Sequence, residues 1–218
     1  MNELMQRRGA LIAGSDKNPL PSIYQQVEYL KNPSGGGAFF TTNAAFHNPF
    51  RIYLVCQKDS ASTNYARCAI GARSNANNFN QINLSKSGDY GFSGVYADIG
   101  NSVGLKTTIT AEYNAGTKTV RIENANGIFS GSSQNSDNIS TNSRISVFHT
   151  GASLVATQFN NGRIYELIVD NPNTNKKTIH LIPCYRKADH KPGMYDTVQK
   201  SFYISQGTGE FIVGADVT

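Results

Sequence analysis

Two carboxylates flanking a glycosidic bond can hydrolyse it, provided they stand about 5–9.5 Å apart. On a strand, acids at i and i+2 or i and i+4 share one face. No Glu-x-Asp pair occurs in this sequence. Glu166 and Asp170 have the i,i+4 spacing, with Asp170 at an Asp-Asn-Pro-Asn turn. Glu112 and Glu123 flank a hairpin pattern that could set them across from each other. Both pairs read first as solvent-facing strand acids, so no catalytic residue is assigned. A pair assembled from separate strands leaves no mark in a sequence, and a glycan-processing hydrolase is kept as the alternative.

Other reactive types are dispersed. His47, His149, His180 and His190 lie far apart, and no two show metal-ligand spacing. The loops "NANNFNQ" and "NSDNIS" offer oxygens, but Asp137 is the one acid in either, and a tight Ca²⁺ loop needs several. Cys56, Cys68 and Cys184 sit in apolar runs without CxxC spacing. They read as buried, inert thiols of a chain that folds in a reducing compartment. No GxSxG is present. The Gly207-Thr208-Gly209 motif opens no helix, so it is turn chemistry rather than a phosphate cradle. Gly193, Gly207 and Gly209 are expected where the chain turns through positive φ. No metal and no cofactor are expected.

A sugar site would combine aromatic faces with Asn, Asp and Arg. Tyr90, Phe92 and Tyr96 lie among glycines, with Asn75, Asn77 and Asn78 close in sequence, but the chain has no Trp. Core aromatics and Asx-turn asparagines are the first reading, and no ligand-binding residue is assigned.

The elements that would position these residues are strands. The chain has 218 residues, of which 16% are charged, and a net charge of +5. Asn, Ser, Thr and Gly take the place of the Glu, Lys, Leu and Ala that helical bundles need. The basic residues, among them Arg51, Arg67, Arg73, Arg121, Arg144, Arg163 and Arg186-Lys187, are scattered. They read as solvated strand faces, with weak attraction to anionic glycans or nucleic acid as the second reading. "FRIYLVCQK" is apolar on both alternations and suits a strand covered on both faces. "TTITAEYNAGTKTVRIEN" is two alternating runs around Gly116, a β-hairpin. "ANGIFSGSSQNSDNISTNS" reads as a long polar loop. "GRIYELIVDN" offers Ile164, Leu167, Ile168 and Val169 to the core. Pro183 cannot donate to a ladder, so "KKTIHLIPCYRK" is expected at an edge or with a bulge. "GMYDTVQKSFYI" reads as a tight hairpin turning at Val198–Lys200. Many short strands between Gly/Asn/Ser turns predict a two-sheet antiparallel β-sandwich.

Residues 1–19 differ. Met1, Leu4, Met5, Leu11 and Ile12 have helical spacing, Gly14 is a stop, and "SDKNP" is a linker. So short a helix needs a partner surface. The expected organisation is an arm over 1–19 and a sandwich over 20–218. "ALIAG" is too short for a secretory h-region, and no apolar run is long enough for a membrane helix.

"LPSIYQQVEYL" near the start, with "IPCYRK", "GMYDTVQKSFY" and "GTGEF" at the end, resembles a family of phage and prophage structural proteins with a LamG-like, concanavalin A-like jelly-roll domain. The resemblance covers roughly residues 20–216 and is strongest at both ends. At 31–41, "KNPSGGGAFF" replaces the family's Thr-Gly-rich piece. The resemblance implies an all-β jelly roll on the surface of a virion, in a fibre or decoration part, made in the host cytoplasm. The arm is expected to join other virion proteins or further copies of the chain, as a homo-oligomer such as a trimer, and the sandwich loops to face a host-surface glycan or a neighbouring virion protein. No nucleic acid and no membrane insertion are expected, and adhesion rather than catalysis is the expected role.

Overall fold

The structure, a computed structural model, describes residues 20–33, 37–59, 67–73, 79–84, 89–98, 102–134, 143–149 and 161–218. Of residues 67, 68, 73, 79, 84, 89, 90 and 98 it describes the backbone alone. The arm expected over 1–19 lies outside this set, as do Asn75, Asn77, Asn78 and Asp137.

The described residues form the expected two-sheet antiparallel sandwich. Its strands are β1 (Tyr24–Gln26), β2 (Leu30–Lys31), β3 (Phe40–Ala45), β4 (Phe50–Lys58), β5 (Arg67–Arg73), β6 (Phe79–Leu84), β7 (Asp89–Phe92), β8 (Val95–Asp98), β9 (Lys106–Asn114), β10 (Thr117–Asn124), β11 (Gly127–Ser133), β12 (Arg144–Val147), β13 (Gly162–Asp170), β14 (Lys177–Arg186), β15 (Lys191–Asp196), β16 (Ser201–Ile204) and β17 (Ile212–Val213). The larger sheet runs β11-β10-β9-β4-β13-β14-β15-β16, and the smaller runs β3-β12-β5-β6-β7-β8. The start of β13 pairs with β2 and the end of β14 with β1, so the N-terminal segment fills the wedge where those two strands part.

Alternation builds the core. Ile52, Leu54 and Cys56 of β4, Ile109 and Ala111 of β9, and Val120 and Ile122 of β10 are buried. Phe40, Ile70, Ile82, Phe92, Ile145 and Val147 of the smaller sheet join them in one cluster. Phe50 packs against Phe46 at 4.7 Å and edge-on against Phe92 at 5.9 Å. A second ring cluster unites Phe40, Phe148, Tyr203 and Phe211. Burying each such ring stabilises the sandwich by about 2–3 kcal/mol. The expected hairpin turns at Ala115-Gly116, with φ of 48° and 82°, between the paired Asn114 and Thr117. Two successive positive φ values make the type I′ turn that suits the twist of a strand pair.

Four expectations need correcting. Gly127–Ser133, read as loop, is strand β11, paired along its length with β10. It is an edge strand of alternating exposed and half-buried residues, so it needs no apolar face to read in the sequence. Ile168, expected in the core, faces outward opposite Tyr53. A bulge at Tyr165 lets Ile164 and Leu167 both point inward and shifts the alternation beyond them. β14 is paired on both sides and so is not an edge, and its register shift, at Thr178 opposite Val169–Asp170, lies away from Pro183. The Pro183 carbonyl accepts from the Val27 N–H at 3.1 Å. Within a strand a residue's N and C=O point the same way, so the missing donor faces the seam between β13 and β1. Finally, Gly193, Gly207 and Gly209 do not have positive φ. A Cβ at Gly193 would run into the Tyr203 carbonyl, and one at Gly207 into the Gly37 carbonyl. Close backbone approach is what demands glycine there.

That approach explains the C-terminal segment. The β15–β16 hairpin turns over Thr197–Lys200, where Asp196 Oδ1 accepts from the N–H groups of His180 (3.1 Å) and Val198 (2.9 Å). Beyond it the chain seals the free edge of β3. The Tyr203 hydroxyl accepts from Asn43 N–H at 3.2 Å. Gln206 Oε1 accepts from Thr41 N–H at 3.0 Å, and its Nε2 donates to the Thr41 carbonyl at 3.4 Å. A carboxamide thus replaces the peptide of a neighbouring strand and blocks edge pairing.

Candidate functional site

Residues of the larger sheet that do not enter the core form its outer face, and the strand register sets them in rows. One row reads Thr119, Glu112, Arg51, Asp170, and the next Arg121, Thr110, Tyr53, Ile168. Then come Glu123, Thr108, Val55, Glu166, and last Lys106, Gln57, Arg163, Lys31.

This map places the candidate acid pairs. Glu166 and Asp170 share the face, but four residues put them about 13 Å apart along the strand. Glu166 Oε1 lies 2.8 Å from His180 Nε2, and Asp170 accepts from Arg51 Nε and Nη2 at 3.0 and 2.6 Å. Glu112 and Glu123 do not meet across the hairpin: Glu112 stands opposite Thr119, and Glu123 opposite Thr108. They too are about 13 Å apart. Glu123 sits 3.5 Å from Arg121. Each pair is therefore wider than hydrolysis of a glycosidic bond requires.

The histidines stay apart. His47 and His190 are exposed, His149 stacks on Phe39 at 4.5 Å, and His180 is held by Glu166. Burial lowers the pKa of His149. Among the described residues no three His, Cys, Asp or Glu converge as metal ligands. Cys56 and Cys184 are free and buried, and burial pushes both thiols up to about 12, which keeps them protonated and inert. The Cys68 thiol lies outside the described residues, and so does the Tyr90 ring. Phe92 is fully buried in the core, while Tyr96 is exposed with its ring lying over Gly91. The Tyr90–Phe92–Tyr96 group therefore presents Tyr96, and not Phe92, to solvent.

The last row of the outer face is organised differently. Asp59, just beyond β4, collects three donors. Lys31 Nζ and Arg163 Nε reach its Oδ2 at 2.8 and 2.9 Å, and Gln57 Nε2 reaches its Oδ1 at 2.9 Å. The Tyr165 hydroxyl donates to Gln57 Oε1 at 2.9 Å. The Arg163 guanidinium lies 4.5 Å from the centre of the Tyr29 ring, and Lys106 Nζ lies 4.1 Å from that of Tyr165. The two rings meet edge to face at 5.6 Å. Burial opposes the charge on Asp59, but the hydrogen bonds and charges of Lys31 and Arg163 outweigh it and hold the carboxyl below its usual range. Burial likewise opposes the charge on Arg163, and Asp59 outweighs it, raising the guanidinium. Burial raises the Tyr165 phenol against the pull of Arg163.

Local structure places the cluster. The bulge at Tyr165 turns two successive side chains, Tyr165 and Glu166, toward the outer face. Bulges commonly re-aim side chains beside functional surfaces. Sequence reasoning placed Arg163 among solvated strand residues and did not single out Tyr29, Lys31, Gln57, Asp59, Lys106 or Tyr165. The one local signal was the Arg163-x-Tyr165 spacing, which says nothing of the partners.

No family model and no curated protein matches the chain. Among solved structures, it is similar to a native heptameric SAP-like pentraxin from Limulus polyphemus. The TM-score is 0.54 at 7% identity, over 90% of this chain and 97% of the pentraxin. It is also similar to tailspike protein 2 of bacteriophage CBA120, with a TM-score of 0.49 and 11% identity over 71% of this chain. The match spans 30% of the tailspike's enzymatically active domain and 27% of the full-length tailspike, less than a third of either. The pentraxin likeness places this chain's sandwich in the jelly-roll, concanavalin A-like architecture.

Proposed function

We propose that the chain is a non-enzymatic sandwich on the surface of a phage particle, in a fibre or decoration part, and that it binds host-surface glycan. The observation that carries this reading is the Asp59 cluster. It is a pre-ordered set of cations, hydroxyl and amide groups on the outer face, locked by shared hydrogen bonds before any ligand arrives. Pre-ordering lowers the entropy cost of binding. On the same face Asp59 is held by Lys31 and Arg163, Asp170 by Arg51, Glu123 by Arg121 and Glu166 by His180. The likeness of residues 20–216 to phage structural proteins supports the virion assignment.

Residues 1–19 are read as the arm that joins other virion proteins or a second copy of the chain. A glycan array run beside a reducing-sugar release assay tests the reading. Saturable binding without release is expected. Release of sugar without a binding plateau would make the chain a hydrolase instead. Deleting residues 1–19 is expected to leave a folded sandwich that no longer joins the particle or its oligomer, and normal assembly of the truncated chain would remove the arm's role.

A further inference from the structure

Resting on the glycan-binding reading, we infer that the Arg163–Lys106 end of the outer face takes an acidic saccharide, held through its carboxylate. A neutral hexose is gripped by stacking on a bare aromatic face, and neither ring here offers one readily. Tyr29 carries Arg163 on its ring, and Gly214 is so close that a Cβ there would lie 2.8 Å from two ring atoms. Tyr165 carries Lys106 on its ring, with Tyr29 against it.

What the cluster presents to solvent is positive charge. Lys106 is exposed and has no carboxylate at ion-pair distance among the described residues. Asp59 engages Arg163 through Nε and the Tyr165 hydroxyl also bonds to the guanidinium, which leaves Nη donors beyond those two bonds for a carboxylate oxygen. Lys31, Lys106 and Arg163 stand against Asp59, and one positive charge remains in surplus even when Glu28, which acts on Tyr165 from nearby, is counted. The Tyr165 hydroxyl and the Gln57 amide lie alongside for sugar hydroxyls. A single-stranded nucleic acid would need the same bare ring faces for its bases, which argues for a saccharide.

The test is titration calorimetry of the full chain with carboxylated oligosaccharides of galacturonate, glucuronate and sialate types, each beside its carboxyl-reduced form. A single-stranded DNA oligonucleotide of matched charge is the control. At least one acidic form is expected to bind, its reduced form about tenfold more weakly, with affinity falling as salt rises. Lys106→Gln removes an exposed charge that holds no ion pair among the described residues, so the variant is expected to keep its fold and to lose about 3- to 10-fold for the acidic form alone. Equal binding of acidic and reduced forms, no effect of Lys106→Gln, or DNA binding as tight as the acidic sugar overturns the inference. Binding confined to neutral glycans overturns it while leaving the glycan-binding reading intact. Binding of no saccharide overturns both.

Discussion

Replacing Asp59 with Asn removes one negative charge while keeping the side chain's shape, and the surrounding distances set the cost. Asp59 holds Lys31 at 2.8 Å and Arg163 at 2.9 Å, with its own side chain 12% exposed and theirs 21% and 28%. A hydrogen bond to a charged group contributes about 1.5–3 kcal/mol when buried, and an exposed ion pair about 0–1. These contacts lie between those limits, so about 1 kcal/mol each is reasonable, and about 2 kcal/mol in all. In Asp59→Asn the two cations also face each other without an anion between them. For a domain of this size that loss lowers Tm by about 4–8 °C. Urea unfolding at pH 7 measures it as a lower midpoint at unchanged slope. The pH dependence gives a second readout. Because the folded carboxyl titrates below its ordinary value of 3.8, its stabilisation is complete above that pH and fades as pH falls through the folded value. The gap between parent and variant should therefore stay constant from pH 7 to about 5 and narrow below about 4. Equal stability at pH 7, or a gap that persists undiminished at the acid end, would refute the idea that Asp59 is the cluster's organising charge.

Three further variants probe the frame that carries the cluster. Ala115 turns the β9–β10 hairpin at a φ of 48°, a conformation that Asn tolerates better than Ala. Ala115→Asn should raise stability by about 1 kcal/mol, seen as a Tm about 2–4 °C higher. Gly207→Ala sets a methyl against the Gly37 carbonyl and should cost about 3 kcal/mol by urea unfolding, because backbone rather than a flexible side chain must move. The double variant Tyr203→Phe with Gln206→Ala unplugs the β3 edge. It should shift the chain toward soluble aggregates in light scattering at a concentration where the parent is monodisperse, and no shift would mean the edge is protected by other means.

Much of the frame was legible because it rests on local rules. The 106–124 hairpin announces itself by two alternating runs around a glycine turn. The Asp196 turn and the edge seal explain why the closing segment is dense in Gly, Tyr and Gln, although the sequence pointed only to turn chemistry there. β11 was missed because a Ser/Gly-rich edge strand buries no complete face. Ile168 and Pro183 were misplaced for a common reason. The bulge at Tyr165 and the seam between β13 and β1 depend on which strands lie alongside, and one strand's sequence does not contain its neighbours. The Asp59 cluster was hidden by the same limit. Lys31, Asp59, Lys106 and Arg163 come from four separate parts of the chain, and register alone brings them together. The acid pairs show the converse. Glu112 and Glu123 looked related because they flank one turn, yet the register sets each against a threonine.

The binding surface itself is tested most directly by a crystal structure of the chain grown with a carboxylated oligosaccharide. An intact sugar whose carboxylate contacts Arg163 and Lys106, on the outer face of the larger sheet, is the predicted result. A sugar seated elsewhere on the sandwich, or one cleaved between two carboxylates, would contradict it.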